Sequence, residues 1–221
     1  GRMSTQHDGT LGRYDGIRVG INPGRYLGVN LVAGRPLDSS EDPLFGTSER
    51  RFYGASVDLG PWNADDRSMG MSLYAIQQNR GSLIDRQATG LELRYFRPGL
   101  TLLGQADYDP RLQSLNFATL MATTTFAGGT TLSSSLDQRR QPLLNLGNAM
   151  IGQFNADGTA VTRSSELQAL YSNAEIDQLV LDRSAMARTA SLGLSVPFSE
   201  RWRWNSDVSV SSTDATVASA G

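Results

Sequence analysis

Cysteine is absent from the chain and histidine occurs once. The first absence removes disulfides, thiolate nucleophiles and Cys-type zinc sites together, and it suits an exported protein. The second leaves His7, in the polar stretch Gln6-His7-Asp8, as the only imidazole around which a Ser-His-Asp triad could be built. A solvated tail is the expected reading there. No apolar run approaches the roughly 20 residues of a membrane helix. This excludes helical spans alone, because barrel strands alternate and hide their hydrophobicity from an averaged window. A basic excess is also missing: the net charge is −2 and the cationic residues are scattered, which argues against nucleic acid as a partner. Gly99 to Gly104 and Gly128-Gly129 lack a following Gly-Lys-Ser/Thr, so no phosphate loop is present.

What the 221 residues do contain, at 39% hydrophobic and 19% charged, is enough for one or two soluble domains or for a mid-sized barrel. The signal that decides is a period of two, the spacing at which successive side chains face opposite sides of a sheet. Ile17, Val19 and Ile21 alternate with Arg18, Gly20 and Asn22; after Pro23-Gly24, Leu27, Val29 and Leu31 alternate with Gly28 and Asn30. Tyr53, Ala55, Val57 and Leu59 oppose Gly54, Ser56 and Asp58, with a turn expected at Gly60-Pro61-Trp62-Asn63 before Met69, Met71, Leu73 and Ala75. Leu91, Leu93 and Tyr95 oppose Glu92 and Arg94, then Arg97-Pro98-Gly99 turns into Leu102, Gly104, Ala106 and Tyr108 against Gln105 and Asp107. A fourth pair spans about 112–126 and 130–137, and a fifth sets Ala190, Leu192, Leu194 and Val196 against Trp202, Trp204, Val208 and Val210.

Burying Glu92 and Arg94 in a dry core would be costly, whereas a charged face opposite a continuous apolar face suits a wet lumen and a lipid exterior. Every second connection is short and rich in Pro, Gly or Asn, while 34–49 and 138–184 are long. Short turns at one rim and long loops at the other are the asymmetry of outer-membrane barrels, periplasmic turns below and loops outside. Within the second loop, 166–171 and 173–180 read as two short helices, with Ser164 or Ser165 and Asn173 as N-caps.

The expected fold is therefore all-β: an antiparallel up-and-down transmembrane β-barrel of about ten strands, or a segment of a larger one, with a helical insertion in one long loop. Residues 1–13 read as a polar tail or linker, 14–215 as the barrel and 216–221 as a tail or truncated end. Candidate lumen-facing residues are Arg18, Asp58, Glu92, Arg94, Gln105, Asp107, Arg188, Arg203 and Asp207, which would set selectivity or fill the interior as salt bridges. Candidate interface aromatics are Tyr53, Trp62, Tyr95, Phe96, Tyr108, Trp202 and Trp204. The acid pairs Glu41-Asp42 and Asp65-Asp66 read as solvated loop residues, not as a glycosidase or calcium site. No enzyme activity, cofactor or metal is expected.

The segments Gln138-Arg139-Arg140-Gln141-Pro142-Leu143-Leu144 and Asn148-Ala149-Met150-Ile151-Gly152-Gln153 resemble a loop in the C-terminal barrels of large proteobacterial envelope proteins that carry periplasmic tetratricopeptide repeats. Glu175-Ile176-Asp177-Gln178-Leu179 to Asp182-Arg183-Ser184 and the hairpin from Asp85 to Phe96 are similar too. The resemblance covers roughly 50–215. It implies an outer-membrane barrel coupled to a periplasmic helical-repeat scaffold and other envelope proteins, an arrangement also used in exopolysaccharide export. The chain lacks the roughly 34-residue helical period of such repeats, which places the implied scaffold upstream. The expected function is a passage for a polymer or small polar solute. A non-conducting anchor for an envelope assembly and a soluble or secreted β-rich adhesin are the alternatives.

Overall fold

The computed structural model describes residues 2–4, 13–37 and 49–214. His7, the Glu41-Asp42 pair, most of the 34–49 loop and the 216–221 tail lie outside the described residues. The chain folds into one antiparallel sheet in which each strand pairs with its sequence neighbours. The strands are β1 (Arg2–Ser4), β2 (Arg13–Gly24), β3 (Leu27–Pro36), β4 (Arg50–Ala64), β5 (Arg67–Arg80), β6 (Leu83–Arg97), β7 (Leu100–Asp109), β8 (Ser114–Thr125), β9 (Thr131–Gln141), β10 (Ala185–Pro197) and β11 (Arg203–Thr213). The sheet is not closed, and β1 and β11 are its edges.

Between β9 and β10 lie three helices, α1 (Leu146–Met150), α2 (Ser164–Leu170) and α3 (Asn173–Asp182). The caps sit one residue earlier than the sequence suggests. Ser172 caps α3, its hydroxyl taking the Glu175 N–H at 3.4 Å while the Glu175 carboxylate returns to the Ser172 N–H at 2.8 Å. At α2 the Glu166 carboxylate takes the N–H groups of Thr162 and Arg163, at 2.9 and 3.1 Å. Helix α1 gave no periodic signal because it is little more than one turn.

Three further expectations change. Arg2–Ser4, in the supposed tail, pairs with Arg13 to Asp15 as a strand. Gly60-Pro61 is an irregularity within β4, where pairing shifts between Leu59 and Trp62, and the chain turns only at Asp65-Asp66. Gly60 takes a φ of 98°, open to glycine without steric cost, and this supplies the kink that the sequence mimics as a turn. Likewise β2 runs through Pro23-Gly24 and turns at Arg25-Tyr26.

Alternation divides the sheet into two faces. On the outer face Ile17, Val19, Ile21, Leu31, Leu73, Leu192, Val208 and Val210 are exposed. The inner face holds a compact cluster near the long-loop end: Tyr14, Val32, Phe52, Tyr74, Ile76 and Ala88. A second cluster joins the insert to the strand ends, Leu144, Leu146, Ala149, Leu167, Ile176 and Val180 packing with Leu83 and Leu112. The insert thus stands on the β5–β6 and β7–β8 connections.

Candidate functional site: a polar inner face beneath a helical insert

One hydrogen-bonded row crosses the inner face through nine strands: Gly28, Asp58, Ser72, Glu92, Gln105, Thr119, Asp137, Thr189 and Ser211. Every member is glycine, hydroxyl, amide or acid. The carboxylates are held in place by neighbours. Asp58 accepts from the Asn30 amide at 2.8 Å and the Ser72 hydroxyl at 2.6 Å. Asp137 accepts from the Thr119 hydroxyl at 2.7 Å and pairs with the Arg139 guanidinium. Glu92 pairs with Arg94 at 3.1 Å. Beyond this row the β9–β11 wall carries small hydroxyl side chains, Ser135 and Ser191 lying 2.7 Å apart.

Nearer the long-loop end the same face is filled. Asp107, fully buried, accepts from the Tyr74 hydroxyl at 2.8 Å, from the Arg86 guanidinium at 2.5 Å and from the Asn116 amide at 3.2 Å. A buried ion pair with its remaining lone pairs satisfied holds its geometry, and its loss exposes an uncompensated charge to a dry site.

Two β-bulges fix the insert to this network. Pairing shifts between Gln78 and Asn79 leave Asp85 as the extra residue, and between Asp107 and Tyr108 leave Asn116 as the extra residue. Both side chains then serve the insert: Asn116 Oδ1 takes the Leu144 N–H at 2.9 Å and Asp85 Oδ1 takes the Leu146 N–H at 3.1 Å. These N–H groups are two residues apart, so two re-aimed side chains read an extended segment as a neighbouring strand would. Arg50 reaches Asp85 at 3.4 Å, and Arg111 meets Asp177 of α3 at 3.0 Å.

Electrostatics in the insert follow from its capping. Hydrogen bonds from the Thr162 and Arg163 backbone hold Glu166 below the usual carboxylate range, and those from Ser172 do the same for Glu175. Burial pushes Asp177 up despite the opposing pull of Arg111.

The expected lumen residues divide. Arg18, Asp58, Glu92, Arg94, Gln105, Arg203 and Asp207 alternate onto the inner face, and Arg18, Asp58 and Arg94 line one recess of about 380 Å³ near the short turns. Asp107 is there too, as the buried centre of the network. Arg188 is a correction: it lies opposite Gln138 and Ser212, in step with Ala190 and Leu192 on the outer face, and pairs with Asp214 at 2.8 Å. Its position two residues before Ala190, within a strand that starts at Ala185, gives it the face of Ala190 and Leu192. Phe96 is a second correction, facing inward with Arg94 in the recess. Tyr53, Trp62, Tyr95, Tyr108 and Trp204 are on the outer face, and Trp202 is exposed in the β10–β11 turn. Sequence reasoning missed Asp137 and Arg139, whose strand, rich in Ser and Thr, gave a weak alternation, and the bulge residues Asp85 and Asn116, each the extra residue of a register shift.

The outer apolar band is not carried straight across the sheet. Starting from Ile21, the hydrogen-bonded row passes Val29, Val57, Leu73, Leu91, Ala106 and Ala118, then leaves the apolar band at Gln138 and Arg188. In β10 the outer apolar run is Ala190 to Val196, displaced toward the short turns, with Met186 apart from it beyond Arg188. The centre of the band slides by about seven residues over about eight strand-to-strand steps, a slope of roughly 30° at about 3.3 Å per residue and about 4.8 Å between strands. Strands tilted against a flat apolar layer produce such a slope. No helix among the described residues is long and apolar enough to cross a membrane, which says nothing of strands. The chain matches no protein-family model, no curated protein and no solved structure.

Proposed function

We propose that the sheet is the wall, or part of the wall, of an outer-membrane β-barrel that provides a passage for a polymer or small polar solute. The observation that carries this is the sloping apolar band, uninterrupted by charge, on the face opposite a continuous polar row. A soluble sandwich has no reason to tilt its apolar residues against its own hydrogen-bonded rows, whereas strands inclined to a bilayer must. The polar row from Gly28 to Ser211 then faces water, and its fixed carboxylates set the local field. The long-loop end, with the helical insert, lies outside and the short turns face the periplasm. The resemblance to barrels of repeat-bearing envelope proteins agrees with this placement and adds a periplasmic helical scaffold as the expected partner.

A second reading is favoured by the buried Tyr74–Asp107–Arg86–Asn116 network with the insert above it: a filled barrel that anchors an assembly without conducting. The full-length protein, extracted from isolated outer membranes and reconstituted in planar bilayers, separates the two. Discrete conductance steps are expected for the passage. Detergent dependence without steps assigns the anchor, and solubility without detergent overturns both.

A further inference from the structure

We propose that a groove on the outer face of β8 to β11 holds one molecule of phosphatidylethanolamine, an acyl chain in the groove and the headgroup at its long-loop end. This rests on the membrane reading above, in that the outer face meets lipid. The groove has a volume of about 480 Å³. Its apolar part is one row across four strands, Leu120, Leu136, Ala190 and Val210. Leu136 and Val210 are 57% and 71% exposed, so both stand up from the sheet, and the alanine between them leaves the depression. The next row, about 7 Å nearer the long loops, ends it with Gln138, Arg188 and Ser212.

Arg188 lines the groove and meets Asp214 at 2.8 Å, both side chains being half-exposed. Among the described residues the Gln138 amide and the Ser212 hydroxyl make no side-chain hydrogen bond. Arg140, two residues beyond Gln138 on the same face, is engaged by the Ser114 and Ser184 hydroxyls at 3.0 and 3.2 Å. Residues 215–221, which follow Asp214, carry no charged side chain. The end of the groove therefore presents a cation and an anion side by side, with an amide and a hydroxyl open to a ligand. A guanidinium takes two phosphate oxygens through parallel hydrogen bonds, and a carboxylate accepts from an ammonium. An exposed ion pair is worth little by itself, so exchanging its partners for those of a zwitterionic head costs little. A head without N–H groups offers Asp214 no donor, and a purely anionic one sets its phosphate beside that acid uncompensated. The apolar row lies on the bilayer side of these groups, where an acyl chain continues from its headgroup.

Native mass spectrometry of the detergent-solubilised full-length protein tests this with phosphatidylethanolamine, with phosphatidylcholine of the same acyl chains, and with glycerophosphoethanolamine, which has the head and no chains. The native protein is expected to retain phosphatidylethanolamine about tenfold better than phosphatidylcholine, the scale of hydrogen bonds to a charged group. Arg188→Gln/Asp214→Asn is expected to erase that preference, Ala190→Phe to weaken retention of both lipids by filling the groove, and Arg67→Gln at the opposite rim to change nothing. Equal retention of the two lipids, full retention by Ala190→Phe, or displacement by glycerophosphoethanolamine at matching concentration overturns the proposal. So does a stable lipid-free dimer, which assigns the groove to a second copy of the chain. Bilayer insertion of each variant, scored by detergent dependence and heat-modifiable gel migration, is recorded in parallel. Insertion without lipid retention defeats this proposal alone, and failure of the native protein to insert defeats the membrane reading beneath it.

Discussion

The ring of Tyr74 lies across the backbone of Gly90: a Cβ built on Gly90 would stand 2.1 Å from Tyr74 Cζ. Only over this gap does the phenol, on β5, pass β6 and reach Asp107 on β7. Gly90→Ala is therefore expected to push the ring off and cost about 1–3 kcal/mol, comparable to overpacking or to a lost buried hydrogen bond. Tyr74→Phe costs a similar amount, and the double variant costs less than the sum, because both act on one contact. Thermal unfolding of the four proteins in one detergent measures the cycle.

Removing the side chains that hold the insert has a different signature. In Asp85→Ala/Asn116→Ala the N–H groups of Leu144 and Leu146 lose their acceptors while the sheet keeps its ladder. Faster proteolysis within 142–184 and a larger or noisier conductance are expected, together with a lower unfolding midpoint of the strands, because Asn116 also donates to the buried Asp107 and Asp85 pairs with Arg50. An unchanged cleavage rate would mean that the apolar contacts of Leu83 and Leu112, with the Arg111–Asp177 pair, suffice to hold the insert.

Acid should loosen the insert before the sheet. Glu166 and Glu175 are held below the usual carboxylate range when folded, so their caps stabilise above the unfolded value of about 4.3 and lose that contribution as pH falls through the lower folded values. Asp177 runs the other way: its raised value means that ionisation is a cost at neutral pH, relieved as it protonates. Amide hydrogen exchange across 164–182 is expected to accelerate below about pH 4, and Glu166→Gln/Glu175→Gln to show the faster exchange already at neutral pH.

The polar row supplies a charge test. Reversing Glu92 or Asp137 to lysine adds two units of positive charge beside fixed hydroxyls, and cation preference, read as the reversal potential in a salt gradient, is expected to shift toward anions. Reversing the exposed turn residue Asp66 is expected to shift it little.

The outer face supplies the converse. Leu73→Arg, in the middle of the apolar band, is expected to cost about 2–4 kcal/mol of stability in lipid. A soluble sheet with that leucine in water would tolerate the change almost freely. Refolding into vesicles followed by denaturant titration distinguishes them.

Most strands were legible because alternation is a property of the chain itself. Ile17-Arg18-Val19-Gly20-Ile21 declares two faces without knowing its neighbours. What the sequence could not declare was where alternation is broken deliberately. Asp85 and Asn116 carry no signal of their own in the sequence, yet they are the residues that meet the insert, and only pairing with β5 and β7 reveals the extra residue. Arg188 is a plainer case: standing two residues before Ala190, it takes the face of Ala190 and Leu192 by alternation alone. Asp137 hid in a run of serines whose small side chains satisfy either face.

Because each strand pairs only with its neighbours in sequence, most of the sheet can grow hairpin by hairpin with short loop closures, the regime in which formation is fast, the connections from β3 to β4 and from β9 to β10 being the long ones. The bulge acceptors are the exception in time as well as in space: Asp85 and Asn116 belong to different hairpins, and they hold a segment that follows both. Neither grips Leu144 and Leu146 in the right alternation until β5 to β8 stand in register. Seating of the insert therefore waits on those four strands, and a strand pair slipped by one residue, which would turn one acceptor away, leaves the insert unseated and open to the proteases that clear faulty chains.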